Sequence, residues 1–279
     1  MSTSRVVRVS RIEAYAPEAH LVEKYGHDLP LGRHVEHDEL SRSYPHDTLG
    51  TELVSAIHPR RIGILDQGSL GSCTGNAAVG ALCTEPPALA LTDEQVEGCD
   101  ERFAVAVYSA ATRVDEFSGA YPPEDTGSSG LAVCKVLKTN HWIAGYEHTF
   151  SLDAALRSVV KGPVITGIPW YDSFDDPDES GLIKIETMAE VRGGHEVEIR
   201  EIDVENRLVG IDNSWSERWG LGGRAYMSWD TWGQLLAESG DVTVLLPITS
   251  IPPVLPRATP ADIALDAAYA AWRRTLLWP

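Results

Sequence analysis

The 279-residue chain has no apolar run near the roughly 20 residues that a membrane-spanning helix requires. Its first twenty residues, MSTSRVVRVSRIEAYAPEAH, contain no apolar core of the kind a secretory signal needs. Cysteine is scarce: four residues cannot form the dense disulfide scaffold of a small secreted domain. Positive charge is also in short supply. The chain has 23 Lys and Arg against 41 Asp and Glu, a formal net charge of −18. That balance excludes nucleic acid and anionic membranes as main partners, since both bind through clustered Lys and Arg. These absences point to a cytoplasmic protein with reduced thiols. Its length allows one large domain or two small ones, each with a real core.

Residues 1–57 read as an N-terminal arm or short extension with poor hydrophobic periodicity. Five of the nine histidines, His20, His27, His34, His37 and His46, fall in its first 50 residues. A metal site from His34, His37 and Asp38 would need a second ligand cluster, and the sequence supplies none. These histidines are therefore expected to be solvated, and no metal or cofactor is expected. Residues 58–249 carry the organised pattern, with helical signals over about 70–150 and strand signals over about 151–249. Helices are expected at Cys73–Leu82, Glu101–Val114, Leu131–Thr139 and Asp153–Lys161. Strands are expected at Val164–Trp170, His195–Ile202, Arg207–Asp212, Arg224–Ser228 and Asp241–Pro247. Helices first and strands second make an α+β arrangement. Residues 250–279 open with Pro252, Pro253, Pro256 and Pro260 as a stiff linker, then a short amphipathic helix that either packs on its own body or docks a protein partner.

Three segments carry chemistry. In Ile64 to Thr74 (ILDQGSLGSCT) Cys73 opens a helix after a glycine-containing loop. A helix N-terminus offers free N–H groups and partial positive charge, which favour thiolate and bind an oxyanion. Gln67 can bring a side-chain amide to the same place. In Gly193-Gly194-His195-Glu196 two glycines leave room for a chain beside a strand histidine. In Asp212 to Tyr226 (DNSWSERWGLGGRAY) Asn213 can orient an imidazole and Trp215 can shield that hydrogen bond from water. Each segment has an ordinary packing explanation on its own. Their order, Gln, Cys, His, Asn, is far more specific.

In that order the chain resembles the papain-like cysteine peptidases. Asp66-Gln67-Gly68…Gly71-Ser72-Cys73 looks like the nucleophile motif, Gly194-His195 like the histidine motif, and Asn213-Ser214-Trp215 with Trp219-Gly220 like the asparagine motif. His195 lies 122 residues and Asn213 140 residues past Cys73, against roughly 130–150 in that family. Asp125 to Ser129 resembles the segment lining the helical side of the cleft. Gly162-Pro163-Val164, Tyr171 to Phe174 and Ser180-Gly181 resemble middle strands of the other side. The resemblance spans residues 58–247. It implies a two-lobe fold, helical on one side and β-barrel-like on the other, with the cleft between.

The resemblance further implies a Cys73 thiolate paired with a His195 imidazolium and an acyl-enzyme route. Gln67 and the Cys73 N–H would hold the oxyanion, Asn213 would orient His195, and no cofactor would be needed. Ser129, Gly130, Gly193, Gly194 and Trp215 would bind a peptide or protein substrate. There are departures: Thr74 stands where an aromatic is usual, Leu70 where a structural cysteine is usual, and Glu196 where a small apolar residue is usual. Strand alternation turns Glu196 away from His195 and predicts that it is exposed. The N-terminal arm lacks a long amphipathic helix, so zymogen control is not expected, although a short arm lying in the cleft is compatible with its length. Two other readings stay open: a non-catalytic binding protein on the same fold, and an amidase or acyltransferase using the same thioester.

Overall fold

The computed structural model describes residues 29–36, 43 and 45–248. The helix expected beyond residue 250 lies outside them, as do His20, His27, His37 and Asp38.

In chain order the elements are β1 (Ala56–Ile57), α1 (Cys73–Leu82), α2 (Asp93–Glu97), α3 (Glu101–Ala111), α4 (Gly130–Thr139) and β2 (Gly145–Thr149). Then follow α5 (Leu152–Lys161), β3 (Val164–Tyr171), β4 (Leu182–Ile183), β5 (Val191–Asp203), β6 (Leu208–Asp212), β7 (Arg224–Ser228), α6 (Trp229–Ala237) and β8 (Asp241–Leu246). The expected α+β arrangement is present. Its helices start at capping residues: Asp100 accepts from Phe103 N–H, Ser129 from Ala132 N–H, and Ser151 from Ala154 N–H. α6 was not anticipated, because its buried residues Trp229, Trp232 and Leu235 recur every three residues over a short span. The Ser228 side chain caps it. β2 was also missed; it is a five-residue edge strand whose polar residues give little alternation.

Helix α1 is buried along its whole length. Its small residues allow this. A Cβ at Gly75 would lie 2.3 Å from the Ala104 carbonyl oxygen of α3, and one at Gly80 would lie 2.6 Å from Glu198 Oε2 of β5. Leu82, Val107, Val133, Leu137 and Ile143 fill a first apolar core beneath it.

The sheet runs in the order β2-β8-β3-β5-β6-β7-β4, with β1 added on β5. Neighbours are antiparallel except β4 and β7. It is an open sheet rather than the barrel-like closure expected: its ends, β2 and β4, are not paired with each other. A second core, with Trp170, Phe174, Trp215, Trp219 and Trp232 fully buried, lies on this side. Two cores, one helical and one β-rich, make the two lobes. No helix among the described residues is long and apolar enough to cross a membrane.

Candidate active site

Cys73 is the first residue of α1, and its side chain is fully buried. The Ser72 side chain does not cap the helix. The loop before it is fixed from several sides. Asp125 Oδ2 accepts from Gly71 N–H at 2.8 Å, and Gln67 N–H donates to the Ser214 carbonyl at 2.9 Å. Tyr108 Oη donates to Asp125 Oδ1 and accepts from Gly127 N–H at 2.9 Å, so one tyrosine braces the Asp125–Gly127 segment that holds the cysteine loop.

His195 sits inside β5 opposite Ile168 of β3. Its Nε2–H donates to Asn213 Oδ1 at 2.8 Å. In the neutral ring that leaves the lone pair on Nδ1. Nδ1 is buried and has no hydrogen-bond partner among the described residues. Trp215 stacks on the imidazole, with ring centroids 4.6 Å apart and planes 25° from parallel, and Trp170 meets its edge at 4.7 Å. Asn213 is held in turn: its N–H donates to the Gly223 carbonyl at 3.0 Å, and Gly223 lies at φ +83, where a side chain would also strike Ile64. Thus Cys73, His195, Asn213, Gln67 and Trp215 lie in connected walls of one cleft.

The cleft is already occupied by the chain itself. Residues 29–36 run through it as an extended strap. Arg33 N–H donates to the Gly194 carbonyl at 3.0 Å, His34 N–H to the Ser128 carbonyl at 2.7 Å, and Ser128 N–H to the Gly32 carbonyl at 2.8 Å. The Pro30 carbonyl accepts from Gln67 Nε2 at 3.1 Å and Trp215 Nε1 at 3.3 Å. Leu29 is buried in the β-side core. His34 and His46 are correspondingly not solvated: His34 Nε2 donates to the Thr126 carbonyl and its ring packs on Phe117, while His46 Nδ1 pairs with Glu147 at 2.7 Å. Among the described residues no cluster of His, Cys, Asp and Glu has a metal-binding arrangement.

A Cβ at Gly194 would lie 2.3 Å from the Arg33 carbonyl oxygen, and one at Gly193 would lie 3.1 Å from Leu31. On the other wall the backbone contacts are made by Ser128. Ser129 and Gly130 instead open α4, with Ser129 Oγ capping it and donating to Glu36. Gln67 does not point free into the cleft. Its amide donates to Pro30 and Leu70, and its Oε1 accepts from Ser214 Oγ at 2.6 Å.

Burial changes the expected ionisation. Burial pushes the Cys73 thiol up to about 12, although the backbone N–H groups of Glu196, Gly32 and Thr74 oppose the rise. Burial also pushes His195 down to about 3, against the hydrogen bond to Asn213. In this covered state the pair is neutral, not thiolate and imidazolium: dehydration outweighs the helix N-terminus.

Glu196 is a second correction. It is fully buried rather than exposed. Alternation alone predicted a solvent face, but its cross-strand partner is Gly167, which has no side chain, and the carboxylate enters the space so left. A glycine within an apolar strand is the one sequence signal of such a close approach. Arg33 and Asp241, which share that space, were not anticipated; their positions in the sequence carry no mark of it.

No protein-family model matches the chain, and no curated protein matches its sequence. Solved structures do match its fold. Xylellain, a cysteine protease from Xylella fastidiosa, matches with a TM-score of 0.61 at 17% identity, over 78% of this chain and 96% of that one. Digestive procathepsin L 3 of the Tenebrio molitor larval midgut matches with a TM-score of 0.51 at 13% identity, over 81% of this chain and 78% of that one. The chain has the two-lobe fold of the papain-like cysteine proteases.

Proposed function

We propose that the protein is a cysteine-type peptidase, working through Cys73 and His195 and held at rest by its own strap. The observation that carries this reading is the strap itself. A stretch of ordinary peptide lies in extended form across Cys73, held by main-chain hydrogen bonds to both walls. A cleft that accepts backbone this way suits a peptide better than a small compact ligand.

With the strap displaced, water and substrate replace its dehydrating cover, and the Cys73 proton passes to His195 Nδ1. The thiolate attacks the peptide carbonyl, the carbonyl oxygen takes the place at Gln67 now held by the Pro30 carbonyl, and His195 returns the proton to the leaving amine. Water then hydrolyses the thioester. Asn213 holds the ring in register throughout, and Trp215 shields that bond.

The neutral, covered pair equally favours a second reading, a peptide-binding protein on the same fold. Cleavage of fluorogenic peptide amides under reducing conditions separates the two. The expected result is turnover by the wild type that Cys73→Ala abolishes. Absence of turnover, together with failure of a peptidyl epoxide to label Cys73 in a strap-disengaged chain, overturns the peptidase reading. Released ammonia without new N-termini would assign the amidase chemistry instead.

A further inference from the structure

The strap carries one cation into a buried acidic pocket beside the cleft. The Arg33 side chain is 2% exposed, and its guanidinium donates to Asp241 Oδ2 and to the Ser239 carbonyl at 2.9 Å. Glu196, fully buried, faces the same guanidinium. The pocket exists because its walls lack side chains. A Cβ at Gly167 would lie 2.3 Å from Arg33 Nε and 2.8 Å from Glu196 Oε2, and one at Gly130 would lie 2.6 Å from Glu196 Oε1.

Two features exceed what holding the strap requires. Both Glu196 oxygens and Asp241 Oδ1 have no hydrogen-bond partner among the described residues, and Arg33 Nε is likewise unpartnered. One guanidinium thus meets one fully buried and one partly buried acidic side chain and leaves acceptors over. Burial, then the neighbouring Asp241, push the Glu196 carboxyl well above its usual range against the pull of Arg33, so the pocket holds more acidic capacity than one guanidinium compensates. Moreover, the pocket is in line with the peptide backbone. The N–H of Arg33 is bound to Gly194, and the preceding residue, Gly32, directs its N–H at the Cys73 sulfur.

We propose that the Glu196–Asp241 pocket recognises an arginine or lysine side chain of the peptide that replaces the strap, and that Arg33 is its built-in stand-in. The peptide's fate rests on the peptidase reading above; the recognition does not. Arginine should be preferred over lysine, because a planar fork of donors meets two carboxylates better than a single ammonium. The chain's net charge of −18 favours approach of such cationic peptides.

The test is a binding measurement on the full chain carrying Gly32→Val, Arg33→Ala and Cys73→Ala. A side chain at position 32 would lie 1.8 Å from the Gly71 carbonyl oxygen, so the strap cannot seat. Blocked tripeptides with Arg, Lys, Leu or Glu at the central position are titrated calorimetrically. The arginine peptide is expected to bind at least about tenfold more tightly than the leucine peptide, with lysine between and glutamate weakest. Adding Asp241→Asn or Glu196→Gln should reduce that ratio to below about threefold while leaving the leucine peptide unchanged. As a check that does not depend on the triple variant folding, the arginine peptide should raise the melting temperature of the single variant Arg33→Ala and the leucine peptide should not. Equal or tighter binding of leucine, or no binding of the arginine peptide in either format, overturns the proposal. Selective binding without turnover or epoxide labelling of Cys73 in a strap-disengaged chain that retains Cys73 would sink only the peptidase reading; cleavage with leucine preferred would sink only this one.

Discussion

The two walls of the cleft are built by different physics. On the helical side Cys73 is placed by volume: α1 is buried end to end, and Gly75 brings it within a glycine's width of the α3 backbone. On the sheet side His195 is placed by polar contacts and aromatic rings, among buried charges. Glu198 and Asp212 lie on that side with almost no exposure, compensated by Arg60, Arg200 and Arg224. Close packing holds a side chain by excluded volume; a polar network holds one by directed, charge-assisted hydrogen bonds. The helical wall should therefore be intolerant of added volume, and the sheet wall of lost charge.

The largest test of that contrast is Arg60→Met. Arg60 Nη1 donates to Glu198 Oε2 at 2.7 Å and to Asp212 Oδ2 at 3.3 Å, so its loss leaves Glu198 buried with the Thr84 hydrogen bond and only the more distant charge of Arg200. A cost of about 3–5 kcal/mol is expected in chemical denaturation. A cost below about 1 kcal/mol would mean that the network is not what holds the sheet wall.

Next comes Gly32→Val, which acts between the walls. If the strap causes the raised Cys73 thiol, unseating it restores an ordinary thiol, which at pH 8 is roughly one-quarter thiolate. Alkylation of Cys73 by iodoacetamide is then expected to accelerate at least about 100-fold over the wild type. The buried thiols Cys83, Cys99 and Cys134 act as internal controls. An unchanged rate would assign the burial to the walls themselves.

A smaller effect distinguishes the charge state of His195. Its folded value is lowered to about 3, so below roughly pH 6.5 the unfolded chain takes a proton that the folded one refuses. The histidine therefore lowers stability progressively as pH falls through that window. Asp175, raised by burial to about 6, acts in the opposite sense, losing its contribution as pH rises, and it is common to both proteins in the comparison. Between pH 7 and 4.5 the wild type should lose about 2 kcal/mol more than His195→Gln, read as the difference between their denaturation curves. Parallel losses would show that the imidazole is hydrated.

The smallest effect compares the helices themselves. Ser228 caps α6 through Thr231 N–H at 3.0 Å, whereas Ser72 makes no side-chain cap on α1. Ser228→Ala should cost about 1 kcal/mol in melting experiments. α1 does without such a cap because tertiary packing holds it.

What was legible in the sequence follows this division. α1 could be read from Cys73 to Leu82 because small residues at helical spacing have few other uses, and the order of Gln67, Cys73, His195 and Asn213 is a linear signal. β2 and α6 could not be read because their patterns are weak: β2 has polar residues at most positions, and the buried residues of α6 recur only every three positions. Glu196 was misread for a deeper reason. Alternation says which face of a strand a side chain takes, but not what lies over that face.

The sequence alone determined the α+β class, the candidate nucleophile, base and orienting amide, and the absence of a long apolar helical run. All of these are carried by neighbours a few residues apart or by residue types in order. Only the tertiary structure decided that residues 29–36 fill the cleft, that the Cys73–His195 pair rests neutral, and that Glu196 and Asp241 close around Arg33. These depend on groups as much as 208 residues apart. Burial, which sets both ionisation and the value of a charge, is a property of that assembled neighbourhood and not of any segment.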